Sequence, residues 1–121
     1  MKFVCIGYIN ESKWSAFTEK EQSEILDDYF NYNQELKQNK IFVTGFGLKS
    51  VSESCKIILI DGQIQETILK PDIEQIGGLL IIEVENLTEA KTIISKHPGL
   101  SIGAFEIRPI DDDISELVGA K

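Results

Sequence analysis

One pattern occurs twice in this chain, and that repetition limits the possible folds more than any other feature. A strand pattern over residues 2–8 leads through a helical periodicity over 19–37 to a second strand pattern at 41–47. The order recurs at 77–84, 87–96 and 104–109. Two strand–helix–strand halves predict an α+β fold with one sheet covered by helices on one face. The other face is left bare, and an apolar bare face has to meet a second copy of the chain or a ligand.

The local signals are consistent with this layout. Thr18-Glu19-Lys20-Glu21 has the form of a capping box, in which hydroxyl and carboxylate satisfy the first free backbone donors of a helix. Behind it, Ile25, Tyr29, Tyr32 and Leu36 recur every three or four residues and predict a broad apolar stripe facing the sheet. Residues 10–17, with the only tryptophan, Trp14, are expected to form a polar loop. Gly45-Phe46-Gly47 is not a phosphate loop, because no helix start follows to aim backbone donors at an anion; it fits a strand closely approached by backbone or ligand. Asp61-Gly62 between two apolar runs predicts a two-residue hairpin inserted between the halves. The nearly unbroken apolar run 79–84 suits a strand buried on both faces, Asn86 an N-cap, and Pro98-Gly99 a helix stop. The end of the chain, 110–121, is expected to be a solvated acidic tail with a small apolar patch.

Composition narrows the class of partner. The chain of 121 residues, expected to form one domain, can bury a core without staples. A formal charge of −8 repels phosphate backbones and anionic lipid, so neither nucleic acid nor membrane is an expected partner. The first apolar run is too short for a signal peptide, and Cys5 and Cys55 have neither zinc spacing nor the pattern of a disulfide frame. Both are expected to be buried free thiols in a reducing cytoplasm. No histidine–carboxylate cluster with ligand spacing is present, so neither metal nor another cofactor is expected.

In their order along the chain, several phrases resemble the YCII-related superfamily, in particular its DGPF-domain branch. They are Glu11 and Trp14, Thr18 to Glu21, Tyr29, Gly45-Phe46-Gly47-Leu48, Asp61-Gly62, Glu74-Gln75-Ile76-Gly77-Gly78 and Glu106-Ile107-Arg108-Pro109. The tetrapeptide that names the branch is not present; the corresponding stretch reads Glu66-Thr67-Ile68-Leu69-Lys70-Pro71 and is shorter. The resemblance implies a ferredoxin-like fold paired face to face as a dimeric α+β barrel. It also implies an active pair formed by a histidine in the first helix and an aspartate near the end of the second. Here the first position falls at Asp28 or Tyr29 and the second at His97, so carboxylate and imidazole would be exchanged.

Two readings of these residues stand side by side. In one, His97 is a general base at a helix C-terminus, where the dipole favours the imidazolium, with Asp28 or Tyr29 as its partner. In the other, His97 is a boundary residue and Asp28 lies on a solvated face. Tyr8, Trp14 and Tyr32 form a second group, suited either to lining a small-molecule pocket or to packing. Arg108, beside Glu106 on the last strand, is suited to a salt bridge across a dimer or, as a ligand-binding residue, to capture of an anion. The first expectation is a cytoplasmic homodimer that binds a small organic molecule between helices and sheet. The alternatives are a cofactor-independent lyase or isomerase using His97, and an accessory interaction protein linked to transcriptional regulation.

Overall fold

The computed structural model describes all residues 1–121. Strand β1 (Lys2–Ile9) is followed by the short helix α1 (Glu11–Ala16), the long helix α2 (Glu19–Gln38) and strand β2 (Phe42–Gly47). A hairpin, β3 (Lys56–Ile60) and β4 (Gln63–Thr67), precedes β5 (Gln75–Glu83), helix α3 (Leu87–Ile94), β6 (Phe105–Pro109) and the final helix α4 (Asp112–Leu117). The four long-range strands form one antiparallel sheet in the order β2-β5-β1-β6, with α2 and α3 as the two crossovers. This is the ferredoxin-like arrangement. The hairpin forms a separate two-stranded sheet. No helix is long and apolar enough to cross a membrane.

Side-chain alternation explains how the layers meet. Phe3 pairs with Ile82 and Cys5 with Leu80, and all four point to the helices, where Leu36, Ala90 and Ile94 close over them. Fully burying a side chain such as Phe3 or Ile82 contributes roughly 2 kcal/mol. On the opposite face Val4 pairs with Ile81 and Ile6 with Leu79. These four are only half covered, so β5 is not buried on both faces as the apolar run suggested.

The caps fall where residue chemistry puts them. Thr18 and Glu21 form a complete capping box, and the Asn86 Oδ1 accepts the Glu89 N–H at 2.9 Å. In the hairpin, Asp61 and Gly62 both have positive φ, 49° and 76°, as a tight two-residue turn requires. Residues 10–17 are not a loop: Asn10 accepts the Lys13 N–H and starts α1. A helix of six residues is too short to display periodicity in the sequence. The acidic tail is solvated as expected but is not without structure: Asp111 accepts the Ile114 N–H and the following aspartates occupy the first turn of α4, where the helix dipole favours them. Cys5 is buried and free, but Cys55 is exposed, because it leads into a hairpin that nothing in the chain covers. Ile57, Leu59 and Ile64 share one face of that hairpin and are 60%, 67% and 67% exposed.

Candidate functional site

A cavity of about 340 Å³ lies between α2 and the sheet, closed at one end by α1 and by the turn around His97. Two sequence features create it. First, the α2 stripe separates from the sheet towards its N-terminus: Leu36 is 5% exposed, Tyr32 and Tyr29 are half-buried, and Leu26 is 57% exposed. Second, the sheet beneath has little side chain to fill the gap. Gly7, Gly78 and Gly47 stand opposite one another on β1, β5 and β2 and make a strip of bare backbone across three strands. A Cβ on Gly78 would lie 2.9 Å from the Phe46 carbonyl oxygen, so that position admits only glycine, whereas a Cβ on Gly47 would meet nothing within 4 Å.

His97 is the one buried polar side chain, 6% exposed. It packs between Tyr29, Tyr32 and Phe105, with ring centroids at 4.9, 4.6 and 4.3 Å. Its Nδ1 accepts the Gly99 N–H at 2.9 Å, which places the ring proton on Nε2. Nε2 has no protein partner and is not among the fully buried side-chain atoms, so it keeps some accessible surface on a residue that lines the cavity. Burial pushes the imidazole pKa down to about 4. The expected imidazolium is therefore absent, and the reason is structural. Helix α3 ends at Ile94, and His97 instead precedes the 3-10 turn Pro98–Ser101 and is packed among three rings, where a charge would lose its water. Gly99 fits here because it has no Cβ: one would run into the Tyr29 hydroxyl and crowd Phe105 and His97.

Of the residues singled out from the sequence, the structure brings His97, Tyr29, Trp14 and Tyr8 to this one cavity. Tyr29 is partly buried and its hydroxyl pKa is raised by desolvation. The Tyr8 hydroxyl donates to the Glu106 Oε2 at 3.1 Å, which raises its pKa and leaves the rest of the residue to line the cavity wall. Tyr32 contacts His97 from behind, with its hydroxyl donating to the Ile93 carbonyl at 2.8 Å, and does not line the cavity. Asp28 is exposed and also does not line it, so the Asp28–His97 pairing is not formed. Arg108 is exposed on the bare face of the sheet, opposite Val4, remote from the cavity lining.

Several cavity residues were not legible beforehand. Asn33 and Phe105 line it, Gly99 orients His97, and Cys5 lies at the floor with its thiol pKa raised by burial to about 11. Gly7 and Gly78 carried a signal that only strand register could decode. Glu11 has a structural role: its carboxylate accepts from the Ser50 hydroxyl at 2.7 Å and the Val51 N–H at 2.9 Å, tying α1 to the segment after β2. No Asp, Glu, Lys or Arg lines the cavity, and no group of three metal-ligating side chains exists in the chain.

Fold and site together define a ferredoxin-like α+β domain with an apolar, charge-free cavity and a single buried imidazole. The chain belongs to the YCII-related family, whose domain it matches over residues 1–112. Among solved structures it is similar to 5-chloro-2-hydroxyhydroquinone dehydrochlorinase (TftG) from Burkholderia phenoliruptrix, in complex with 2,5-dihydroxybenzoquinone. That alignment has a TM-score of 0.55 and 15% identity, covering 92% of this chain and 94% of the other. The likeness is one of fold. No curated protein matches the chain in sequence.

Proposed function

We propose that this protein is a cytoplasmic homodimer that binds a small organic molecule in the glycine-floored cavity. The observation that supports the ligand most directly is His97: a buried imidazole with one nitrogen satisfied by Gly99 and the other facing an apolar cavity without a partner. Its volume is at the lower end of small-molecule sites, which suits a compact ligand. The dehydrochlorinase of similar fold is a complex with a six-membered quinone, a molecule of that size. The second copy is supported by the bare sheet face, where Val4, Ile6, Leu79 and Ile81 form an apolar centre and Glu106 and Arg108 a charged rim. Arg108 has no ion pair within the chain, so a partner's acidic group can satisfy it. The net charge of −8 argues against nucleic acid and membrane as partners.

A catalytic version of this reading is favoured by the imidazole's protonation pattern. With Nδ1 accepting from Gly99, His97 presents an Nε2–H donor suited to polarising a ligand oxygen; to act as the base of a lyase or isomerase it would first have to exchange tautomers. Tyr29 is then the neighbouring proton donor on the same wall.

The experiment that tests the site is Gly47→Leu, a substitution with room at Cβ that fills the chamber. One-ring organic compounds are titrated while the Trp14 indole signal is followed. The folded variant should lose every response seen in the wild type. A variant that still responds as the wild type does would place binding elsewhere.

A further inference from the structure

Resting on that reading, we propose that the cavity selects uncharged one-ring compounds carrying a hydrogen-bond acceptor, and that the acceptor is received by the Nε2–H of His97. Three features of the site carry this.

The lining contains no ionisable side chain that is charged at neutral pH. It includes no Asp, Glu, Lys or Arg, the Cys5 thiol and the Tyr29 hydroxyl are kept protonated by their surroundings, and the Tyr8 hydroxyl is turned away to Glu106 on the other face of the sheet. An ionised ligand group entering this space loses its water and gains no opposite charge, a penalty larger than one hydrogen bond returns. A positively charged His97 is not available to compensate an anion, because Nδ1 already accepts from Gly99 and three aromatic rings surround the imidazole. The same group does complement a neutral carbonyl or ether oxygen, which it meets with a donor that has no competing protein partner.

Shape points the same way. The Gly7–Gly78–Gly47 strip offers a flat floor of backbone, and Leu26, Tyr29, Trp14 and Phe105 supply walls and roof of apolar or aromatic side chain. A planar ring can lie against such a floor where a branched aliphatic compound cannot, since the missing Cβ atoms leave a slot rather than a sphere.

Three commercial probes isolate the terms: acetophenone has a ring and a neutral acceptor, toluene the ring alone, and benzoate the ring with a charge. Each is titrated into the isotope-labelled wild type at pH 7, with the Gly7, Gly47 and Gly78 amides and the Trp14 indole N–H as reporters. Acetophenone should bind at least tenfold more tightly than either of the others, and Gly47→Leu should abolish its shifts. In His97→Phe, acetophenone should fall to the level of toluene. Benzoate binding as tightly as acetophenone overturns the charge selection, and toluene doing so overturns the role of the donor; in both cases the cavity remains a binding site. If none of the three moves those four signals, the ligand site itself is wrong, and this proposal falls with it.

Discussion

At the scale of single residues, His97 makes the strongest demand on its surroundings. Its pKa in the folded chain, about 4, lies below the ordinary histidine value of 6.5 because burial penalises the charged form. Between those values the unfolded chain binds the extra proton and the folded chain does not, so the contribution to stability is complete above pH 6.5 and is lost as pH falls towards 4. The shift corresponds to a loss on the order of 3 kcal/mol. Urea unfolding at pH 7 and pH 4 should show the stability gap between wild type and His97→Gln narrowing by about that amount, and nitrogen chemical shifts should report the Nε2–H tautomer at pH 7. Equal pH slopes for the two proteins would mean that His97 is not held neutral in the core. The sequence could place His97 before Pro98-Gly99 but could not orient it. Three residues beyond the last helical position, the ring can face solvent or core, and a glycine N–H two residues on decides the matter.

At the scale of elements, α2 does two things at once: its last turns seal the core through Leu36 while its middle, from Leu26 to Asn33, forms the roof of the cavity. The roof end has little packing to hold it and depends on its cap. Thr18→Ala removes the capping box and should cost about 1 kcal/mol in urea unfolding, with hydrogen exchange in the first turns of α2 rising more than in α3. Uniform exchange across both helices would show that the cap does not govern this end. Elements of this kind were readable because their signals are local: capping residues at fixed spacing, the 3.6-residue stripe, and two positive-φ positions in one turn. The elements missed were short ones, α1, α4 and the 3-10 turn at His97, where side-chain caps on one or two turns stand in for periodicity. The glycine floor was missed for a different reason. Gly7, Gly47 and Gly78 become neighbours only through strand register, which is set by pairings between residues far apart in the chain rather than by local preference.

At the scale of the whole molecule, the sheet has one face sealed by helices and one face half covered. Burying the apolar centre of Val4, Ile6, Leu79 and Ile81 against a second copy would supply the driving force for the pairing proposed above. Sedimentation should return a dimer at micromolar concentration, and Ile6→Glu, which puts a charge at the middle of that face, should return a folded monomer. A wild-type monomer under the same conditions would rule the pairing out. The layer arrangement was foreseeable from the repeated strand–helix–strand order, whereas the partial coverage of β5 was not, because a nearly unbroken apolar run looks alike whether its second side meets a helix or another molecule.

The short helix α1 connects parts of the chain that sheet topology keeps apart. Through Glu11 it holds Ser50 and Val51 at one root of the hairpin; through the Asn10 side-chain amide and the Ser12 backbone it holds Asp72 and Pro71 at the other. The same helix carries Trp14 into the cavity wall. Both roots of the projecting arm and the indole are thus tied to one short helix, so a displacement of the arm is expected to register in the Trp14 emission spectrum.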